Sequence, residues 1–211
     1  GNTANNILDG SIGVDTMTGG AGNDIYIVDN IDDSISETST IATEIDSVNT
    51  FISYTLNSNL ENLTLTGVSA INGIGNTFNN TITGNTANNI LSGVAGSDTM
   101  SGGTGNDAYI DDKAGDVINE TSTTATENDS VKSSVSYTLV SNLENLTLTS
   151  TSEINGTGNT LNNIITGNSA NNTLSGGTGN DTMTGGTGND TYVVDATSDS
   201  ISETSTTATE I

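Results

Sequence analysis

Nine aspartates recur in this chain at a fixed beat. Asp15, Asp24 and Asp33 stand nine residues apart; the triplet returns as Asp98, Asp107 and Asp116, and again as Asp181, Asp190 and Asp199. Glycines precede many of them, as in Gly176-Gly177-Thr178-Gly179-Asn180-Asp181 and Gly185-Gly186-Thr187-Gly188-Asn189-Asp190. Glycine permits φ > 0 and leaves backbone carbonyls uncovered by a Cβ, and each aspartate adds a hard carboxylate oxygen. The chain contains no His and no Cys, so neither imidazole nor thiolate can join the donor set. Oxygen donors alone select Ca2+ or Mg2+, and flexible loops supplying about six or more oxygens favour Ca2+.

Carboxylates at constant register need elements that hold them there. Two residues after each aspartate stands an apolar or aromatic residue: Met17, Tyr26 and Ile35, then Met100, Tyr109 and Ile118, then Met183, Tyr192 and Ile201. Short strands separated by glycine-rich turns fit this pattern, and a nonapeptide beat of this kind is the signature of a parallel β solenoid. Two nonapeptides then make one turn of strand, loop, strand, loop, with loops alternating between two edges. In the second array the sixth position reads Asn80, Asn89, Asp98, Asp107, Asp116 and the inward eighth position Ile82, Leu91, Met100, Tyr109, Ile118; the third array repeats this from Asn163 and Ile165. Met17, Met100 and Met183 are therefore core residues, and the tyrosines close off the acid-bearing part.

A longer period overlies the short one. Gly1-Asn2-Thr3-Ala4-Asn5-Asn6-Ile7-Leu8 recurs at Gly84 and, with small changes, at Gly167. The chain divides into repeat units 1–83 and 84–166 and a partial third unit 167–211, expected to form one continuous solenoid. The second half of each unit is leucine-rich. Residues 45–56 and 131–139, then 60–66 and 143–149, read as strands by alternation and β-propensity. Wider, less regular coils filled by side chains rather than metal are expected there, with residues 37–44 as a loop. The fold class is all-β, a right-handed parallel β-roll or β-helix solenoid in which each of these units is one long repeat, with no helical periodicity. Rungs about 4.8 Å apart make the expected length roughly 55 Å.

Composition narrows the function. Twenty-six acidic residues face only Lys113 and Lys132, a formal charge of −24, and only 31% of residues are apolar. Without cations such a mixture lacks the apolar surface to offset ordering entropy; multivalent cations resolve this by coupling folding to binding. The charge has the wrong sign for nucleic acid, and no apolar run spans a bilayer. With no His or Cys, triads, papain-like dyads and H-E-x-x-H zinc sites are excluded, and no catalytic constellation is present.

The two Gly-Gly-Thr-Gly-Asn-Asp-Thr segments match G-G-x-G-x-D-x-U-x, the pattern of a calcium β-helix repeat. The chain resembles the RTX, haemolysin-type calcium-binding nonapeptide repeat family of bacteria. That resemblance implies ions held between loops stacked one turn apart on the same edge, so residues 18 apart become partners. Asp15 with Asp33, Asp98 with Asp116, and Asp181 with Asp199 are then the leading metal ligands. Asp24, Asp107 and Asp190 face the neutral Asn6, Asn89 and Asn172 and should bind more weakly. The asparagines at position six read as an inter-turn hydrogen-bond ladder, and Glu61 and Glu144 as solvent-facing. Val28-Asp29-Asn30-Ile31-Asp32-Asp33 departs from the pattern in lacking the leading glycines, and Gly10-Ser11-Ile12-Gly13-Val14-Asp15 in lacking the second. One to three ions per unit are expected.

The expected function is an extracellular calcium-stabilised structural module: the stalk of a bacterial adhesin, or a matrix, surface-layer or filament protein. The resemblance implies type I secretion and a place outside the bacterium or on its surface. Neither end carries a cap, so further copies of the repeat, in a longer chain or an end-to-end fibre, are the expected partners beside calcium. The other reading is the calcium-binding C-terminal tail of a secreted enzyme or toxin, which a catalytic domain elsewhere in the gene would reveal. Thr64-Leu65-Thr66 and Thr147-Leu148-Thr149 supply too few threonines per unit for an ice-binding array.

Overall fold

The structure, a computed structural model, describes residues 1–39, 41 and 43–203. Its strands, numbered in chain order, are two to four residues long and every pairing between them is parallel. They fall into two compact units, one of Gly1–Asp107 with Gly115–Asn119, the other of Ala108–Ala114 with Glu120–Ile211.

In the first unit the odd strands form one sheet in the order β1 (Ile7–Asp9), β3 (Ile25–Val28), β5 (Ser47–Thr50), β7 (Asn62–Leu65), β9 (Thr81–Thr83), β11 (Thr99–Ser101), β13 (Val117–Ile118). Opposite them β2 (Thr16–Thr18) pairs with β4 (Ser34–Ser36), and β8 (Gly73–Ile74) pairs with both β6 (Tyr54–Thr55) and β10 (Ile90–Ser92). In the second unit β12 (Ala108–Asp111), β14 (Ser130–Ser133), β16 (Asn145–Leu148), β18 (Ile164–Thr166), β20 (Thr182–Thr184) and β22 (Ser200–Ser202) pair in sequence. There β15 (Tyr137–Thr138), β17 (Gly156–Thr157), β19 (Thr173–Ser175) and β21 (Thr191–Val193) form the facing sheet. Each unit is thus a parallel β solenoid with two strands per turn.

Turn length follows the sequence. Ile7 pairs with Ile25 and Thr81 with Thr99, and Asp24 takes its hydrogen bond from Asn6, all at the 18-residue step of the nonapeptide arrays. The leucine-rich half is uneven. Its turns advance by 22 from Ile25 to Ser47, by 15 from Ser47 to Asn62 and by 19 from Asn62 to Thr81. The longest of them carries the segment 37–44, which forms no strand among its described residues; Thr40 and Ala42 lie outside them. From β1 to its equivalent β10, one long repeat later, the chain makes nine strands. Nine is odd, so equivalent strands fall in opposite sheets of the same unit: β1 against β10, β2 against β11, and β12 against β21.

Inward residues are those at position eight. Tyr26, Ile82, Leu91, Met100, Tyr109, Ile165, Leu174 and Met183 are fully buried, while Ile201 in the last described strand is exposed. Leu60, Leu63, Leu143 and Leu146 fill the leucine-rich turns, each contributing about 1.5–3 kcal/mol. Residues 45–56 do not form one strand. They divide into β5 and β6 around a corner where the Thr50 hydroxyl accepts the Ile52 N–H at 3.2 Å. Ser133 does the same for Val135 between β14 and β15. A hydroxyl two residues back offers the backbone a turn in place of the ladder, and β-propensity alone does not reveal it. No helix among the described residues is long and apolar enough to cross a membrane.

Candidate metal centre

The loop Gly19-Gly20-Ala21-Gly22-Asn23-Asp24 shows why the pattern needs its glycines. Gly20 and Gly22 adopt φ of 103° and 107°, a region costly for residues with a Cβ. Gly19 has ordinary φ but no room: a Cβ there would strike the Asp24 carboxylate and the Tyr26 hydroxyl. The loops that have lost the second glycine keep a positive φ at that position. Ser11 sits at φ 61° and Val94, a β-branched residue, at 73°. Departure from the motif has therefore left strain rather than a different loop.

Each predicted aspartate except Asp15 uses one carboxylate oxygen in the same way, accepting the N–H of the residue 18 positions earlier. The distances are 3.0 Å from Asp15 to Asp33, 2.7 Å from Asn6 to Asp24, 2.7 Å from Asn80 to Asp98 and 2.7 Å from Asn89 to Asp107. They are 3.0 Å from Asp98 to Asp116, 2.7 Å from Asn163 to Asp181, 2.8 Å from Asn172 to Asp190 and 3.1 Å from Asp181 to Asp199. The expected partners thus stand on adjacent turns, joined side chain to backbone.

The second oxygens differ. Oδ2 of Asp15, Asp24, Asp116 and Asp181 is buried with no hydrogen-bond partner. An ionised oxygen so placed is costly unless a cation meets it. Oδ2 of Asp33 accepts the N–H groups of Asp29 and Asn30 at 3.3 and 3.2 Å, and Oδ2 of Asp199 those of Asp195 and Ala196 at 3.3 and 3.2 Å. In these loops, which lack the leading glycines, the aspartate caps its own turn. The N–H groups of Asp181, Ala196 and Asp195 hold the Asp199 carboxyl below the usual range. Burial, opposed by the Asn163 N–H, pushes Asp181 up, with the charges of Asp199 and Asp195 adding to it.

Asp181 with Asp195 and Asp199, and Asp24 with Glu37 and Asp46, each bring three carboxylates within 4.8 Å of one another. In the second group Asp24 is faced by more than the Asn6 amide. Asn6 is its neighbour on one side; on the other the longest turn delivers Asp46, whose Oδ1 accepts the Asp24 N–H at 2.6 Å. Burial, then the charges of Glu37, Glu61 and Asp24 against the Asp24 N–H, push the Asp46 carboxyl up to about 6. Glu37 and Asp46 recur one long repeat later as Glu120 and Asp129, and Asp195 has its counterpart one repeat earlier in Asp112. Glu37 and Asp46 escape a nine-residue template because neither falls on the beat set by Asp15, Asp24 and Asp33. Glu61 and Glu144 do not face solvent freely. Each is half-buried and accepts the N–H of Asp46 or Asp129, at 2.8 and 2.7 Å, holding the aspartate role in the shortest turn.

The position-six asparagines act otherwise. Nδ2 of Asn80, Asn89, Asn163 and Asn172 donates to the carbonyls of Leu60, Ile71, Leu143 and Ile154 at 3.0, 2.6, 3.0 and 2.6 Å. Their Oδ1 accepts an N–H of their own loop at 2.7–2.8 Å. The ladder joins amides to backbone carbonyls of the preceding turn rather than to one another.

Donors that are oxygen only, orphaned buried carboxylate oxygens and glycines without room for a methyl all fit a hard cation. A family model described as RTX calcium-binding nonapeptide repeat (4 copies) matches residues 1–34, 74–109 and 157–192, half of the chain. No curated protein matches it. The ion these loops are made for is Ca2+, and the chain belongs to the RTX calcium-binding nonapeptide repeat family.

Proposed function

We propose that this chain is a calcium-stabilised structural module of a secreted bacterial protein, serving as stalk, matrix, surface-layer or filament material outside the cell. The observation that carries the reading is the set of buried carboxylate oxygens without partners, at Asp15, Asp24, Asp116 and Asp181, in a chain whose only basic side chains are Lys113 and Lys132. Asp15, Asp33, Asp98, Asp116, Asp181 and Asp199, with Asp24, Asp107 and Asp190, would hold the ions. Calcium supplies the positive charge that lets acids of successive turns coexist. The residues themselves fix the turns: every one of these aspartates but Asp15 secures a backbone N–H of the preceding turn through Oδ1, and the apolar eighth positions close the interior.

Binding to the folded state alone makes calcium a folding reagent. Each site adds about 4 kcal/mol when calcium exceeds its dissociation constant a thousandfold. A chain of formal charge −24 would stay unfolded at cytoplasmic calcium and order outside, which suits one-way export by a type I system. The near-identical repeats suit a spacer, and the lack of His and Cys removes the common nucleophile–base pairs, so we read the module as non-catalytic. Circular dichroism with calcium and with EGTA tests this: β structure is expected in calcium and coil in EGTA, and equal β content in both would refute metal-coupled folding.

A further inference from the structure

The densest group of acids in the first unit does not follow the nonapeptide rule. Asp24, Glu37 and Asp46 are 0%, 8% and 2% exposed, and each offers a carboxylate oxygen within 4.8 Å of the other two. Every member is held in place. Asp24 Oδ1 accepts the Asn6 N–H and Asp46 Oδ1 the Asp24 N–H. Glu37 Oε1 accepts the N–H groups of Thr38 and Ser39 at 2.8 and 2.9 Å, and its Oε2 accepts the Tyr26 hydroxyl at 2.6 Å. The Asp46 backbone is tied in turn to Glu61.

Two further observations point to a ligand. Asp24 Oδ2 is buried with no partner. It also converges with the Tyr26 hydroxyl and Glu37 Oε2 on one point: a Cβ on Gly19 would lie 2.8 Å from Glu37 Oε2 and closer still to the other two atoms. Three carboxylates gathered away from water repel one another and lose hydration, and no Lys or Arg lies in this part of the chain.

We propose that Asp24, Glu37 and Asp46 form a calcium site of a second kind, which draws on a glutamate outside the nonapeptides and is closed by Tyr26. It rests on the calcium reading of the loops only in sharing Asp24. Three carboxylates can offer up to six oxygens in irregular array, which suits Ca2+, whereas Mg2+ demands near-octahedral order and keeps its waters. The three acids come from the loop before β3, the residue after β4 and the loop before β5. The ion therefore fastens the longest turn, where the regular coil ends, to the last regular loop. The Tyr–Glu pair recurs as Tyr109 and Glu120, again at 2.6 Å.

Terbium, a luminescent stand-in for calcium sensitised by nearby tyrosine, provides the test on the whole chain. Emission is compared among the unaltered chain and the Glu37→Gln, Asp46→Asn and Tyr26→Phe variants, with calcium as competitor. Tyr26→Phe keeps all three acids and removes the adjacent sensitiser; Glu37→Gln keeps an acceptor for the Tyr26 hydroxyl and removes the charge. The expected result is that Glu37→Gln and Asp46→Asn each lose the share of emission that Tyr26→Phe loses, and that calcium displaces this share from the unaltered chain. Loss in Tyr26→Phe with no loss in Glu37→Gln and Asp46→Asn would overturn the proposal, as would emission indifferent to all three changes. If the chain still gains β structure with calcium in those cases, the loop sites stand and only this site falls; a chain indifferent to calcium altogether sinks both readings.

Discussion

Loops of the type Gly84-Asn85-Thr86-Ala87-Asn88-Asn89 and loops of the type Gly19-Gly20-Ala21-Gly22-Asn23-Asp24 occupy equivalent places in the coil and close it by different means. The first is self-sufficient. Asn85 Nδ2 reaches the Ser69 carbonyl at 2.9 Å and Asn89 Nδ2 the Ile71 carbonyl at 2.6 Å, while Asn89 Oδ1 accepts the Asn85 N–H at 2.8 Å. In the second, Asp24 Oδ1 accepts the Asn6 N–H of the preceding turn at 2.7 Å, where asparagine instead donates to a carbonyl, and Asp24 Oδ2, which like Asn89 Oδ1 lies against the first glycine of its loop, is buried and orphaned. Whether the oxygen beside the loop's first glycine accepts an N–H of its own loop separates a turn that closes on itself from one that waits for a cation. The placement is ordered. Self-closing loops stand against the leucine-rich turns, at Leu60, Ile71, Leu143 and Ile154, and the ionic loops follow them.

The contrast can be broken most completely by removing the ion. In EGTA the Asp-bearing turns should melt, and because neighbouring turns share their strands the amide turns should go with them; far-ultraviolet circular dichroism would show the loss of β signal. Retention of the amide turns alone would show that the two loop types are energetically independent.

Protons should partly replace calcium. Asp46 has its ordinary value of 3.8 raised to about 6 in the fold. Between those values the folded chain holds a proton that the unfolded chain has released, so calcium-free stability should rise as pH falls through about 6 and be complete near 3.8. In calcium the sign reverses, since the proton competes with the ion, and the calcium midpoint should climb over the same interval. Calcium-free circular dichroism that shows no gain of β structure from pH 7 to pH 4 would contradict the buried, cation-free picture of this group.

Swapping single atoms between the loop types sharpens the comparison. Asn89→Asp deletes the bond to the Ile71 carbonyl and buries an acceptor against it, and should cost about 1–3 kcal/mol even in saturating calcium. Asp181→Asn keeps an oxygen for the Asn163 N–H, so it should raise the calcium midpoint yet leave the calcium-saturated fold intact. Equal penalties for the two changes would erase the distinction between the loop types. The smallest expected effect belongs to Val94→Gly. Val94 holds φ 73° where the next copy has Gly177 at 80°, and relief of the strain should stabilise by about 1 kcal/mol, read as a shifted denaturant midpoint in calcium.

Much of the site was legible because both of its periods are local. Aspartates nine apart and inward residues two beyond them follow from a strand–loop unit whose length is written directly in the chain, and pairs 18 apart follow from two such units per turn. The acids Glu37, Asp46 and Glu61 were not legible, since the turns that carry them are longer and shorter than the regular one and no beat announces either length. The corner at Thr50 was hidden for a related reason. One side-chain hydroxyl ends a run that by alternation continues.

From residue types and spacing alone came the parallel coil, its inward row, the oxygen-only donor set and the identity of the ion, since each depends on chemistry repeated within a few residues. The tertiary structure alone decided which carboxylate oxygens are orphaned, that Glu37 turns inward to Tyr26, that Val94 is forced into a glycine's conformation, and that equivalent strands fall in opposite sheets. These depend on where an irregular turn returns the chain and on whether the strand count per period is odd or even. Both are sums over a whole unit, which local pattern does not carry.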